Sequence, residues 1–305
     1  MGSDGWRSLG DRYYQKQELV AEMEWPEVDL SMYMVAGAKF GGPVALKRDK
    51  SKPVPIGKDA PPDDKIFIYT SGGRKICDFV PDGEHLVKMG WTDTEKLVCV
   101  HADGTVFAYN VHGDYEFQFS TGRTVKEQGV RDCSIWGTGL VILTLSNNLF
   151  WVNDFADPST KPLPDCGLDE PPTCMTVIEP SLSETGQPEV LLGNVEASVI
   201  VLTPEGGCDD KMMTAGPFQK MECSADGKYV ACWSESGTLY VYTADFQETI
   251  MEFDVKTSKT PAQLVWCGVD SIVLAYSNML FMVGPVLLPS SPRHAHPQPH
   301  PVVLE

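Results

Sequence analysis

The sequence repeats one pattern, a polar turn followed by a short strand-like run, at intervals of about 40–50 residues. In each copy a turn rich in Asp, Asn, Ser, Glu or Gly precedes a run of apolar residues, mostly alternating, as expected of a strand after a tight turn. The copies are DGTVFAYN at 103–110, NNLFWVND at 147–154, EASVIVLT at 196–203, SGTLYVYT at 236–243 and SNMLFMVG at 277–284. This period is typical of the four-stranded blades of a β-propeller.

A second pattern places an aromatic residue at the end of a strand-like run. Trp25, Trp91, Trp136 and Trp266 occupy this position, and Cys223 takes it in a further copy. The two patterns divide the chain into six units, at about 25–85, 86–120, 130–165, 172–210, 218–255 and 261–284. A single unit cannot bury its apolar faces, whereas a ring of stacked units covers both faces of each blade. We therefore predict an all-β, β-propeller fold in which the aromatic residues pack between blades.

The end of the sequence departs from this pattern. After Gly284-Pro285 the run VLLPSSPRHAHPQPHPVVLE is rich in Pro and His and has no strand periodicity. We predict a propeller domain over residues 1–285 and a disordered tail over residues 286–305.

The amino-acid composition limits the classes of partner that the chain can bind. The formal net charge of −18 makes nucleic acid a poor partner, because an acidic surface repels phosphate backbones. No apolar run approaches the roughly 18 residues of a membrane span, and no signal peptide is apparent, so we expect a cytoplasmic protein. The nine cysteines form no CxxC pair, and most lie in apolar runs, where we expect reduced thiols that behave as small apolar side chains.

Motifs of catalysis are missing from the sequence. It contains no GxSxG and no HExxH, and Gly57-Lys58 lacks the earlier glycine of a phosphate-binding loop. The Gly-rich stretch 37–43 predicts a hairpin turn with glycine at positive φ. We predict no catalytic, cofactor-binding or metal-binding residue and no cofactor, and the sequence leaves the partner-binding residues unknown.

The polar candidates for chemistry are spread over the chain. His85, His101 and His112 lie near turns, and His294, His296 and His300 lie in the tail, where they favour at most weak metal capture. The acidic groups are expected in solvated loops; they are Asp63 and Asp64, Asp165, Asp169 and Glu170, and Asp209 and Asp210.

Several stretches resemble one family in the same order along the chain. They are WRSLGDRYYQKQELVAEMEW at 6–25, GGPVAL at 41–46, MGW with EKLVCVHADGTVFAYNVHGDY over 89–115, LVWC at 264–267 and FMVGP at 281–285. Together they resemble the N-terminal region of the vacuolar protein sorting-associated protein 16 family. The resemblance covers about residues 6–285.

The resemblance implies a seven-bladed propeller, of which about six blades are present here, so we expect an incomplete ring. It implies a non-enzymatic scaffold subunit of the HOPS and CORVET tethering complexes, acting in vesicle docking and fusion and in protein transport from endosome to vacuole or lysosome. The implied partners are the other core subunits directly and Rab GTPases and SNAREs indirectly. The implied location is cytoplasmic, peripheral on endosomal and vacuolar or lysosomal membranes.

The family's helical solenoid, which binds a Sec1/Munc18-like subunit, lies beyond the matched residues. The resemblance therefore does not carry that interaction to this chain. The sequence is also compatible with two alternatives. One is a WD40-like interaction adaptor outside membrane traffic, and the other is a propeller enzyme with carboxylates or histidines converging on its channel.

Overall fold

A computed structural model describes residues 6–9, 12–15, 25, 28–54, 61–276, 279–284 and 302–304. In this part of the chain, strands form one two-stranded hairpin and six four-stranded antiparallel sheets. Each four-stranded sheet contains consecutive strands, so it has the connectivity predicted for a blade. The chain divides into two compact units, one of residues 18–163 and one of residues 1–17 with 164–305.

The unit of residues 18–163 contains blades 1 to 3. Two short 3₁₀ helices, Leu30–Met32 and Lys39–Gly41, flank the first strand of blade 1, and a helix α1 (Arg123–Gln128) joins blades 2 and 3. The strands of blade 1 are β3 (Tyr33–Gly37), β4 (Val44–Arg48), β5 (Ile66–Tyr69) and β6 (Lys75–Phe79). Those of blade 2 are β7 (Leu86–Trp91), β8 (Leu97–His101), β9 (Thr105–Tyr109) and β10 (Tyr115–Ser120). Those of blade 3 are β11 (Val130–Ile135), β12 (Leu140–Thr144), β13 (Leu149–Val152) and β14 (Thr160–Pro162).

The other unit contains the hairpin of β1 (Trp6–Leu9) and β2 (Arg12–Gln15), and blades 4 to 6. The strands of blade 4 are β15 (Cys174–Ile178), β16 (Glu189–Gly193), β17 (Ser198–Thr203) and β18 (Gly207–Met212). Those of blade 5 are β19 (Phe218–Cys223), β20 (Tyr229–Ser234), β21 (Thr238–Thr243) and β22 (Thr249–Asp254). Those of blade 6 are β23 (Gln263–Cys267), β24 (Ser271–Ala275), β25 (Leu280–Val283) and β26 (Val302–Leu304).

Strand β26 differs from the sequence-based expectation. It pairs antiparallel with β25, with Val303 opposite Phe281, and so supplies the fourth strand of blade 6 from residues where no strand was predicted. The rest of the predicted disordered tail, residues 286–301 and 305, lies outside the described residues.

Blade 2 is buried on both of its faces. Along β8, Leu97 and Cys99 pack against blade 1 in a cluster with Ile66 and Ile68. The alternating residues of β8, Val98 and Val100, pack against blade 3 in a cluster with Leu140 and Ile142. Successive side chains of a strand point to opposite faces, so a strand covered on both sides is apolar at every position.

Blade 5 repeats this arrangement in the other unit. Ala231 and Trp233 of β20 pack with Ile272 of blade 6, whereas Val230 and Cys232 pack with Leu191 of blade 4. Trp233 is completely buried. The stretch YVACWS is therefore the centre of a blade held between two neighbours, as the sequence pattern predicts.

Two of the strand-terminal tryptophans also join neighbouring blades by hydrogen bonds. The buried indole of Trp91 donates its Nε1–H to the carbonyl oxygen of Ala36 in blade 1 at 2.9 Å. Trp266 likewise donates to the carbonyl oxygen of Glu222 in blade 5 at 3.0 Å. Trp136 instead donates to Thr138 Oγ1, two residues along the chain, and Trp25 lies outside the strands with its ring 5.1 Å from Tyr69.

Substitution of Trp91 by Phe tests the link between blades 1 and 2. The variant keeps an aromatic ring but loses the hydrogen bond to the Ala36 carbonyl oxygen, so we expect the free energy of unfolding to fall by about 1–3 kcal/mol. Chemical denaturation followed by far-UV circular dichroism measures the change. Trp136→Phe is the matched control, because its indole bond is local, and a loss as large as that of Trp91→Phe would contradict this account.

The nine cysteines, all within the described residues, fall into three groups. Cys166 and Cys208 form a disulfide, with their Cα atoms 5.8 Å apart. Neither cysteine lies in an apolar run, so the expectation of reduced thiols does not extend to this pair, whose sequence separation is 42. Burial raises the pKa of Cys99 and of Cys133 to about 12, whereas Cys267 is exposed. The remaining thiols, also with pKa values raised by burial, are Cys77, Cys174, Cys223 and Cys232.

Alkylation of the native chain with iodoacetamide at about pH 8 should separate these groups, because the thiolate is the reactive form. We expect modification of Cys267 and none of Cys99 or Cys133, read by peptide mass spectrometry. Peptides containing Cys166 and Cys208 should be recovered as one cross-linked species until a reductant is added. The denatured chain serves as control, since all seven free thiols should then react. Rapid native labelling of Cys99, or recovery of a free Cys166, would disagree with the structure.

Candidate functional site

The unit of residues 18–163 contains a cleft of about 600 Å³ beside blades 1 and 2. We call it the blade 1–2 cleft. Its apolar lining comes from Met34, Leu86 and Val87, and further lining comes from the loops that follow β4, β6 and β8. Exposed charged side chains, including Asp64 and Glu84, share the lining with these apolar groups.

A buried arginine fixes the first of these loops. Arg48, at the end of β4, donates from Nη1 to the carbonyl oxygen of Met32 at 2.7 Å and from Nη2 to that of Lys52 at 2.8 Å. Lys52 in turn donates to the carbonyl oxygen of Tyr33 at 2.6 Å. Arg48 is therefore engaged with backbone carbonyls, and its role is to hold the loop rather than to meet a ligand.

His101 supports the opposite side of the cleft. Its Nδ1 lies 2.9 Å from the carbonyl oxygen of Glu84, so Nδ1 carries the proton and donates it. Gly83 lies against the ring with φ +84°, and a Cβ at that position would come within 2.8 Å of the imidazole. This close approach explains the glycine. The sequence placed His85 and His101 separately near turns, and the structure brings both to one cleft.

Charges of both signs surround the cleft. Lys50 Nζ and Asp63 Oδ2 form an ion pair at 2.8 Å. Burial lowers the pKa of Lys47, an effect that the nearby carboxylates of Asp64 and Asp63 oppose. The cleft thus combines apolar side chains with charges of both signs.

The polar side chains of the cleft form hydrogen bonds within the turns that carry them. The Ser51 hydroxyl donates to Asp49 Oδ1 at 2.6 Å, and His101 bonds a backbone carbonyl, so the two do not form a nucleophile and base. In the part of the chain that the structure describes, no three His, Cys, Asp or Glu side chains are grouped to hold a metal ion. His294, His296, His300 and Gly57-Lys58 lie outside that part.

Other sequence candidates lie away from the cleft. Asp165, Asp169 and Glu170 are in the connection between blades 3 and 4, a loop as predicted. Asp209 and Asp210 were expected in a loop, but they belong to β18, the outermost strand of blade 4, with exposed side chains. An edge strand tolerates such charges because one side of it faces solvent.

The Gly-rich stretch 37–43 joins β3 to β4, the hairpin turn that the sequence predicts. Gly41 has φ +75°, as expected for a glycine in a turn. Phe40 also has positive φ, at 58°, and its side chain is fully exposed. Sequence reasoning missed this residue, because no local pattern distinguishes an exposed Phe from a packed one.

Comparison with solved structures identifies the architecture. The β-propeller domain of Cps50 (Swd1) from Myceliophteria thermophila superposes with a TM-score of 0.60, covering 85% of this chain and 84% of that one at 11% sequence identity. The likeness shows the fold alone, and it confirms the predicted β-propeller. Among the described residues, no helix is long and apolar enough to cross a membrane.

Sequence comparison identifies the relatives. Protein VACUOLELESS1 of Arabidopsis thaliana is 35% identical over 304 residues, covering 92% of this chain and 35% of that protein. The vacuolar protein sorting-associated protein 16 homolog of Dictyostelium discoideum is 32% identical over 283 residues, covering 90% and 33%. The chain thus spans about a third of the length of these relatives.

The family described as Vps16, N-terminal region, also matches this chain, over residues 2–296. This range includes the hairpin, the cleft and five complete blades. The chain therefore belongs to the Vps16 N-terminal region family, as the ordered resemblances in its sequence indicate.

Proposed function

We propose that this chain is a non-enzymatic scaffold subunit of a class C vacuolar protein sorting complex, of the HOPS and CORVET type. The observation that carries the proposal is the family match over residues 2–296, together with relatives named for vacuolar protein sorting. In this proposal the chain takes part in vesicle docking and fusion and in transport from endosome to vacuole or lysosome. It works from the cytoplasmic face of these membranes, which it reaches through the complex.

In the proposed scaffold, the strands and the loops have different roles. The strands bury their apolar residues between blades, as β8 and β20 do, which leaves the loops to carry recognition. The blade 1–2 cleft offers an apolar surface bordered by charges, which suits contact with another core subunit. Rab GTPases and SNAREs are proposed as indirect partners, reached through those subunits.

A chimera tests this proposal. The part of the Dictyostelium relative that aligns with this chain, 33% of that protein, would be replaced by this chain, 90% of which is aligned. In cells that lack the relative, we expect the chimera to assemble with the other core subunits and to restore vacuolar delivery of a sorting reporter. Both quantities are measured in the same cells, by affinity purification and by microscopy.

The matched control carries the Cps50 propeller domain in the same place, because it shares the fold at 11% identity. We expect that control to fail in both assays. A chimera that is expressed stably but neither binds the core subunits nor restores delivery would refute the proposed function. Equal rescue by the Cps50 chimera would show that any propeller suffices, and would also contradict it.

A further inference from the structure

The disulfide between Cys166 and Cys208 lies at the surface of blade 4. Cys208 is the second residue of the outer strand β18, and its side chain is exposed. Cys166 is partly buried, in the connection between blades 3 and 4. A thiolate from solution can therefore reach the Cys208 sulfur in the folded chain, and exposed disulfides are among the labile ones.

The bond joins β18 to a segment, residues 164–172, that is anchored at its two ends. Just before it, the backbone N–H of Leu163 donates to the carbonyl oxygen of Leu149 at 2.9 Å. Just after it, the backbone N–H of Thr173 donates to the carbonyl oxygen of Gly193 at 2.8 Å. Between these anchors every side chain is exposed or partly buried, and the disulfide connects the segment to blade 4. Chain with few buried contacts opens at a low cost in free energy, so we expect the cross-link to fix the middle of the segment.

Negative charge lies on both sides of the bond. Asp165 and Asp169 are exposed on the segment, and Asp209 and Asp210 are exposed on β18 directly after Cys208. Lys211 Nζ pairs with Asp209 Oδ2 at 3.1 Å, so these four carboxylates outnumber the ammonium group. The Cα atoms of the bonded cysteines are 5.8 Å apart, within the range of about 10 Å over which like charges repel at ordinary ionic strength. The bond thus holds together two acidic stretches of chain that repel each other.

The redox conditions at the proposed location determine how such a bond behaves. Glutathione and thioredoxin keep thiols reduced on the cytoplasmic side of membranes, where the disulfides that do form are usually transient or redox-sensing. The seven other cysteines of the chain are free thiols. The fold is therefore not built on a framework of disulfides, which favours a regulatory role for this single bond.

We propose that the Cys166–Cys208 bond is a redox-controlled clasp. When oxidised it holds residues 164–172 on the outer strand of blade 4, and when reduced it releases them. This inference rests on the proposed function, because that function places the chain in a reducing compartment.

Opening of the clasp is thiol–disulfide exchange with a dithiol of the thioredoxin class. One thiolate of the dithiol attacks the exposed Cys208 sulfur, the bond to the Cys166 sulfur breaks, and Cys166 leaves as a thiolate that takes up a proton. The second thiol of the dithiol gives up its proton and attacks the mixed disulfide, and Cys208 leaves and is protonated. The chain gains two electrons and two protons, and the dithiol is oxidised to a disulfide. Closing is the reverse reaction, with an oxidised dithiol as the electron acceptor.

The experiment starts from the oxidised whole chain, without denaturant, equilibrated in buffers of reduced and oxidised glutathione. Alkylation and peptide mass spectrometry give the reduced fraction of Cys166 and Cys208, and hydrogen–deuterium exchange follows the backbone. We expect half-reduction within the range of these buffers, because labile disulfides respond to glutathione whereas structural ones resist it. On reduction, amide exchange of residues 165–170 should rise by about tenfold or more, with β16 and β17 unchanged.

Two cysteine variants serve as matched controls. In the double variant Cys166→Ser, Cys208→Ser, residues 165–170 should exchange fast with or without glutathione, because the cross-link is absent. Cys267→Ser removes an exposed free thiol and keeps the bond, so it should behave as the wild type.

The contribution of charge is tested by the double variant Asp209→Asn, Asp210→Asn. It nearly preserves side-chain size and removes the repulsion that favours the open form, so half-reduction should need a several-fold higher value of [GSH]²/[GSSG]. Salt at about 1 M should shift the wild type in the same direction, because it screens the repulsion. Equal half-reduction points for this variant and the wild type would contradict the role given to charge.

Three results would overturn the clasp itself. If the bond stays intact in the most reducing glutathione buffer, it is a structural disulfide. If the bond is reduced but residues 165–170 exchange no faster, reduction releases nothing. If β16 and β17 exchange faster as well, reduction unfolds blade 4 instead of opening a clasp. These measurements use the purified chain and need no partner, so failure of the clasp is distinguishable from failure of the chimera to assemble.

Discussion

Burial of both faces of each blade is the constraint on which the rest of this structure depends. A four-stranded sheet with two apolar faces is not stable alone in water, because each face would expose several large side chains. Blade 2 resolves this by placing Leu97 and Cys99 against blade 1 and Val98 and Val100 against blade 3. At about 25 cal/mol per Å² of apolar surface removed from water, such contacts supply most of the driving force for packing the blades.

The same constraint decides where recognition can occur. Residues in the middle of the strands are committed to neighbouring blades, so the side chains available to a partner lie at the ends of the strands. Blade 1 shows this at both ends of β4. The turn that contains Phe40 precedes Val44, and the blade 1–2 cleft lies beyond Lys47. The two surfaces lie at opposite ends of the same strand.

Much of this fold can be predicted from sequence, because its determinants are local. Polar turns followed by apolar runs recur at a blade-length interval, and the unit predicted at 86–120 coincides with β7 to β10, Leu86 to Ser120. Features set by distant residues could not be predicted in this way. Strand β26 is recruited across a long connection, and the disulfide joins Cys166 to Cys208 across the first three strands of blade 4. The cleft and the exposure of Phe40 likewise depend on how separate loops meet in space, which no pattern within one stretch records.

The disulfide has a consequence for the integrity of the polypeptide. It connects the segment before blade 4 to the last strand of that blade, so blade 4 lies almost entirely inside one covalent loop. The connection between β15 and β16, around residues 179–188, is a turn-rich surface segment within this loop and a natural place for a protease to cut. A single cut there would leave both fragments joined by the disulfide, so they would separate only after a reductant is added.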